Sequence, residues 1–157
     1  MNITFRANSE LEDGEVSIVI EAKAPTAEAL SVMKAAETLG RRTSQTISID
    51  TDGRIEIVRK SAIIAIEVHG NSLILRIGTS PDSPAHALTT RDRLQHVMES
   101  LPSSDFVQIS KQVAINLRHL KSLEASYSGN MTAKLTDGID ETVSRRYVAD
   151  LKKALGA

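Results

Sequence analysis

Apolar residues recur along this chain in two periods. Val16, Ile18, Ile20 and Ala22 alternate, which predicts a strand, and after Pro25 the residues Ala29, Val32, Met33, Ala36 and Leu39 fall on one face of a helix that Gly40 is expected to end. One strand and one helix cannot bury their apolar faces alone. This β-α unit over residues 1–45 is therefore expected to pack on the rest of the chain or on a second copy, with dimerisation the favoured use.

From Thr46 the period shortens. Ile47 and Ile49, then Ile55 and Ile57 beyond the Asp52-Gly53 turn, then residues 63–68 predict successive strands. Gly70-Asn71 signals a hairpin into residues 73–77, and Ser80, Pro81, Asp82, Ser83 and Pro84 form a loop no regular element crosses. A helix follows, with Thr89 or Thr90 as cap, Leu94, Val97, Met98 and Leu101 on its apolar face, and Pro102 as its stop. Strands resume over 106–109, 113–117, 120–123 and 131–135, with turns at Ser128-Gly129-Asn130 and Asp137-Gly138. A last helix opens at Ser144 and buries Val148, Leu151 and Leu155. Many short strands with one embedded and one C-terminal helix make residues 46–157 a β-rich α+β domain.

Composition narrows the function classes. The absence of cysteine removes disulfides, iron-sulfur clusters, thiolate zinc sites and cysteine nucleophiles. No segment reads as a membrane span or signal peptide, so a cytoplasmic location is expected. The net charge of -1 argues against nucleic acid only if distribution is ignored. Residues 105–157 carry eight Lys and Arg against six Asp and Glu, whereas acidic residues outnumber basic ones in 1–45 and in 46–104.

Three stretches carry candidate chemistry. In Val143-Ser144-Arg145-Arg146-Tyr147, Ser144 suits the helix cap, placing Arg145 and Arg146 in the first turn. There they oppose the helix macrodipole, a cost that a bound phosphate would reverse; alternatively both pair with Asp140, Glu141 or Asp150. Ser110-Lys111-Gln112 interrupts an apolar β pattern and reads as a tight connection, either a solvated turn or one that turns Lys111 toward a phosphate or base edge. His69, Gly70, Asn71 and Ser72 make a hairpin tip with donors and acceptors, or a plain turn. Asn116 lies among Val113, Ile115 and Leu117 and is read as a buried structural amide. His69, His86, His96 and His119 lack motif spacing, and no Walker, dinucleotide or nucleophile-elbow motif is present, so no enzyme, cofactor or metal is expected.

The succession Phe106-Val107-Gln108-Ile109-Ser110-Lys111, Val113-Ala114-Ile115-Asn116-Leu117, Leu135-Thr136-Asp137-Gly138 and Val143-Ser144-Arg145-Arg146-Tyr147 resembles the signature of LytTR DNA-binding domains, as does the upstream strand Ile63-Ile64-Ala65-Ile66-Glu67. It departs from the pattern at Gln108, often basic, at Ser110, often His, and in a short hairpin tip. The resemblance implies an elongated antiparallel β domain that binds double-stranded DNA through loops entering successive major grooves, without a recognition helix. It places contacts on Lys111 with Ser110, on Arg146 with Arg145 beside Ser144, and on the hairpin tip with His69 and Asn71. The 45 residues ahead of this domain are too short for the receiver domain that many LytTR response regulators carry, so a stand-alone regulator acting as a homodimer is expected, and the resemblance to similar short proteins suggests control by a membrane-protein partner. The competing reading is a protein-interaction or ligand-sensing module of the same fold without DNA affinity.

Overall fold

The computed structural model describes residues 9–11, 17–81 and 83–157, in two compact units, Met1–Leu39 and Gly40–Ala157. Helix α1 spans Ala27–Thr43. The alternation at 18–22 forms no regular strand; Val16 lies outside the described residues. Ile18 and Val19 are 53% and 78% exposed, and with no neighbouring strand among the described residues their backbone groups gain nothing over solvation by water. Gly40 does not end the helix either. Its carbonyl accepts from the Ser44 N–H at 3.2 Å, so α1 runs one turn further, a penalty of about 1 kcal/mol relative to alanine that the fold tolerates.

The second unit is built on antiparallel pairing. Strands β1 (Thr46–Thr51) and β2 (Arg54–Arg59) form a hairpin. Strands β3 (Ile63–His69), β4 (Ser72–Ile77), β5 (His86–Thr90), β6 (Phe106–Gln108) and β7 (Val113–Asn116) form one sheet in the order β5-β4-β3-β7-β6. A further sheet, in the order β10-β9-β8, comprises β8 (Leu120–Ala125), β9 (Met131–Leu135) and β10 (Asp140–Val143). Helices α2 (Leu94–Glu99) and α3 (Arg145–Ala154) complete it.

Strand β3 has no solvent face, which is why its sequence is a run of isoleucines rather than an alternation. Ile63 and Ile66 pack into one cluster with Ile49, Val58, Leu73, Leu75, Val97, Leu101 and Phe106. A bulge between Ile63 and Ala65 turns Ile64 and Ala65 to the other side, where they meet Ile109, Ile115, Ala133, Leu135, Val143 and Leu151. The sheet is thus covered on both faces, by two hydrophobic clusters, and each fully buried Ile or Leu contributes about 1.5 to 3 kcal/mol.

Two boundaries differ from the sequence reading. Thr89 and Thr90 do not cap a helix: they close β5, paired with Ile74 and Leu73, as their β-branched side chains favour. Helix α2 begins at Leu94, and Asp92 serves its first turn, Oδ1 accepting from the Arg93 N–H at 2.7 Å and from His96 Nδ1 at 2.8 Å. Strand β10 had no apolar signal, since only Val143 of its four residues is buried. Among the described residues, no helix is long and apolar enough to cross a membrane.

Candidate nucleic-acid interface

The three candidate stretches meet along one edge of the second unit, and main-chain hydrogen bonds hold them there. The Val68 N–H, just before the β3-β4 hairpin tip, donates to the Gln112 carbonyl at 2.7 Å. The Ser144 N–H, at the start of α3, donates to the Ile109 carbonyl at 2.9 Å. The connection between β6 and β7 therefore sits between the hairpin tip on one side and the helix start on the other.

That connection is tight because its own polar groups close it. Ile109 and Ser110 N–H groups both donate to the Val113 carbonyl, the Gln112 N–H donates to Ser110 Oγ at 3.2 Å, and Gln108 Nε2 donates to the Ser110 carbonyl at 2.8 Å. Ser110 and Gln108 are thus consumed in shaping the turn, and Lys111 is left projecting into solvent.

Ser144 occupies the cap position of α3, as its sequence suggests, but its hydroxyl makes no cap hydrogen bond. Asn130 does that work from the turn before β9: its Oδ1 accepts from the Arg145 N–H at 2.9 Å. The neighbouring Gly129, at φ +80°, lies so close beneath Arg145 that an added Cβ would stand 3.0 Å from Arg145 Cδ. Arg145 and Arg146 are exposed, and within the described residues neither forms an ion pair; Asp140, one of the expected partners, is held instead by Lys134 at 2.5 Å. Sequence reading assigned no role to Asn130 and Gly129 beyond a turn, and the Ser-Gly-Asn spacing alone could not show which helix the turn supports.

At the hairpin tip, Gly70 adopts φ +57° to make the turn, Asn71 is exposed and Ser72 half-buried. Beside it, a shallow cleft of about 350 Å³ is lined by Gly70, Asn71 and Ser72 and by Arg91, Asp92 and Arg93 of the β5-α2 connection. Arg91 and Arg93 were not singled out from sequence, because nothing local showed that the turn after β5 returns to the tip; the register of β4 with β5 brings it there.

Below the tip lies an ionisable cluster. Glu67, on the face of β3 turned toward β10, places Oε2 3.0 Å from His69 Nε2 and Oε1 2.8 Å from Arg76 Nε. Its carboxyl is held below the usual range by Arg76 and His69, against the opposing effect of burial. Glu141 of β10, half-buried, hydrogen-bonds to Glu67. Burial and then the Glu67 charge push its carboxyl up to about 7. Asn116, fully buried, donates through Nδ2 to the Ile63 carbonyl at 2.9 Å and accepts the Arg118 N–H at 3.0 Å, which makes it structural as read.

A family model described as the LytTr DNA-binding domain matches residues 53–156. The chain belongs to the LytTR family. Its fold agrees: a solved LytTr DNA-binding domain from Bacillus cereus superposes with a TM-score of 0.63 at 18% identity, covering 73% of this chain and 99% of that one. Among curated relatives, the sensory transduction protein LytR of Staphylococcus epidermidis is 28% identical over 116 residues, 74% of this chain and 44% of LytR. The sensory transduction protein LytT of Bacillus subtilis is 30% identical over 70 residues, 45% of this chain and 29% of LytT. The chain spans less than half the length of these LytTR relatives.

Proposed function

We propose that this LytTR chain is a DNA-binding transcription regulator that grips duplex DNA along the edge formed by the hairpin tip, the β6-β7 connection and the start of α3. The observation that carries the reading is the joining of three polar segments into one edge whose cations Lys111, Arg145 and Arg146 are exposed and unpaired within the described residues. Arg145 and Arg146 each offer a planar fork suited to phosphate or to the guanine edge in a major groove. Lys111 supplies a point charge to a phosphate, while His69 and Asn71 offer donors and acceptors to base edges. Ser110 and Ser144 shape the loops that carry these contacts. Arg91 and Arg93 extend the cationic edge past the tip. Family membership and the LytR and LytT relatives support regulation as the purpose of binding.

The reading includes a homodimer in the cytoplasm on repeated half-sites. The exposed Leu30, Met33 and Leu39 of α1 support self-association, since burying them between copies removes apolar surface from water.

The test is selection of fragmented genomic DNA from the source organism by the purified chain at two salt concentrations, beside an Arg145→Ala, Arg146→Ala variant. A repeated short motif should be enriched, and its affinity should fall steeply with salt. Each phosphate contact removed lowers the log-log salt slope by about 0.9, so the double variant should flatten it by up to about 2. Absence of enrichment at either salt would overturn the reading in favour of a protein-interaction module.

A further inference from the structure

The turn between β8 and β9, residues 126–130, carries a side chain that packing does not explain. Tyr127 is 91% exposed, more than any other large hydrophobic residue among those described. Aromatic residues are scarce in this chain, two tyrosines and two phenylalanines in all. Phe106 is buried in one hydrophobic cluster and Tyr147 packs against the other. Tyr127 belongs to neither, and its hydroxyl has no hydrogen-bond partner among the described residues.

The turn that carries Tyr127 is closed and docked. The Ser126 N–H donates to the Asn130 carbonyl at 3.0 Å, and the Asn130 N–H to the Tyr127 carbonyl at 3.1 Å. Ser128 and Gly129 complete the reversal with φ of +60° and +80°. Asn130 Oδ1 then accepts from the Arg145 N–H at 2.9 Å. A Cβ added at Gly129 would stand within 4 Å of Cβ, Cγ and Cδ of Arg145, so the stem of that arginine runs along the turn. Tyr127 is two residues before Gly129, a span of at most about 7 Å. Neighbouring phosphates on one DNA strand are about 3.4 Å apart along the helix axis. A strand gripped by Arg145 therefore passes within reach of a side chain on this turn. An aromatic ring with a donor at its tip suits a surface that is apolar at the sugar and polar at the phosphate.

We propose that Tyr127 is a further DNA contact, its hydroxyl donating to a phosphate beside the groove entered by the start of α3, with the ring against the adjoining sugar. The proposal rests on the DNA-binding reading above. Unlike Lys111, Arg145 and Arg146, the hydroxyl brings no positive charge, so the contact adds affinity without releasing a counterion. A phosphate contact also carries no sequence information, so the gain is the same on every variant of the operator.

The experiment is fluorescence anisotropy of the full chain on a labelled duplex carrying the selected motif, across a series of salt concentrations. Wild type is compared with Tyr127→Phe, Tyr127→Ala and Arg145→Ala, each checked for native melting. Tyr127→Phe should bind about tenfold more weakly, the loss of one hydrogen bond to a charged group, with the log-log salt slope unchanged. Arg145→Ala should flatten that slope by about 0.9. Tyr127→Ala should bind more weakly than Tyr127→Phe, because the ring is lost as well. Ethylation of single phosphates locates the contact: at one phosphate, ethylation should weaken wild type more than it weakens Tyr127→Phe. Wild-type affinity in Tyr127→Phe would overturn the proposal, whatever Tyr127→Ala does. A flattened salt slope in Tyr127→Phe, or an ethylation pattern identical to that of wild type, would overturn it too. Failure of wild type to bind any duplex would instead overturn the DNA-binding reading on which it rests.

Discussion

Asn116→Ala should destabilise the second unit by about 2 to 4 kcal/mol, although the residue is not among those proposed to contact DNA. The β3-β7 ladder ends at the Ala65-Ile115 pair, because β7 leads into a 3-10 turn at Leu117–His119. Asn116 stands where the ladder stops, and its Nδ2 supplies the hydrogen bond to the Ile63 carbonyl. Alanine leaves that carbonyl buried without this donor, at about 1 to 3 kcal/mol. It also removes the acceptor for the Arg118 N–H, which water near the half-open turn partly replaces, and it opens a small void beside Ile63. Urea unfolding followed by far-ultraviolet circular dichroism is the assay. With an m-value of about 1.5 kcal/mol per M, the midpoint should fall by roughly 1.3 to 2.7 M at unchanged slope. Asn116→Asp separates donor from acceptor: its carboxylate keeps the Arg118 contact but faces the Ile63 carbonyl with an oxygen. It should be worse than alanine at pH 7 and recover toward pH 4, where the protonated acid donates again. A midpoint shift under about 0.3 M for alanine, or no pH-dependent recovery for aspartate, would refute the reasoning.

Other outcomes follow from the same geometry. The folded-state pKa of Glu141 is raised from 4.5 to about 7, so the native state holds an extra proton across that window. Stability should therefore fall as pH rises from about 4.5 to 7, by roughly 1 to 2 kcal/mol once solvent screening is allowed for, and thermal melts of Glu141→Gln should lack that fall. Glu67 is shifted the opposite way, so its contribution is lost only at lower pH, as pH drops through its depressed folded value. Asn130→Ala should cost about 1 kcal/mol by uncapping α3 and should weaken DNA binding more than its stability loss explains, measurable by combining melts with anisotropy. Gly129→Ala should be destabilising on two counts, a positive φ and a Cβ against Arg145, and repair by Asn at the same position, which tolerates the left-handed conformation, should be only partial because the Cβ clash remains.

Much of the fold was legible because the period of apolar residues changes with the element. Residues 46–77 read correctly as strands, since the Asp52-Gly53 and Gly70-Asn71 turns divide their alternations and isoleucine run where the structure also turns. The reading lost accuracy where long-range partners decide. Residues 18–22 alternate like a strand but pair with no strand among the described residues, and Thr89-Thr90 looks like a helix cap until β4 claims it. Strand β10 was invisible because Glu141, one of its inward-leaning residues, is polar. The three site stretches were found from local signals and from a motif. Their adjacency was not readable, and neither were Asn130, Gly129, Arg91, Arg93 or the Glu67-Glu141 pair, all of which depend on contacts between residues distant in the chain.

The bonds that hang the loops proposed to contact DNA in place run through the main chain at Val68 and Gln112 and at Ser144 and Ile109. A backbone bond is indifferent to the identity of the side chain beside it. The residues projecting from these loops, His69, Asn71, Lys111, Arg145 and Arg146, can therefore be exchanged with little disturbance to the scaffold that aims them. If these loops read DNA as proposed, separating support from readout in this way would let a lineage drift to a new operator one position at a time without passing through an unfolded intermediate, and these five positions would be the natural set to randomise when retargeting the domain.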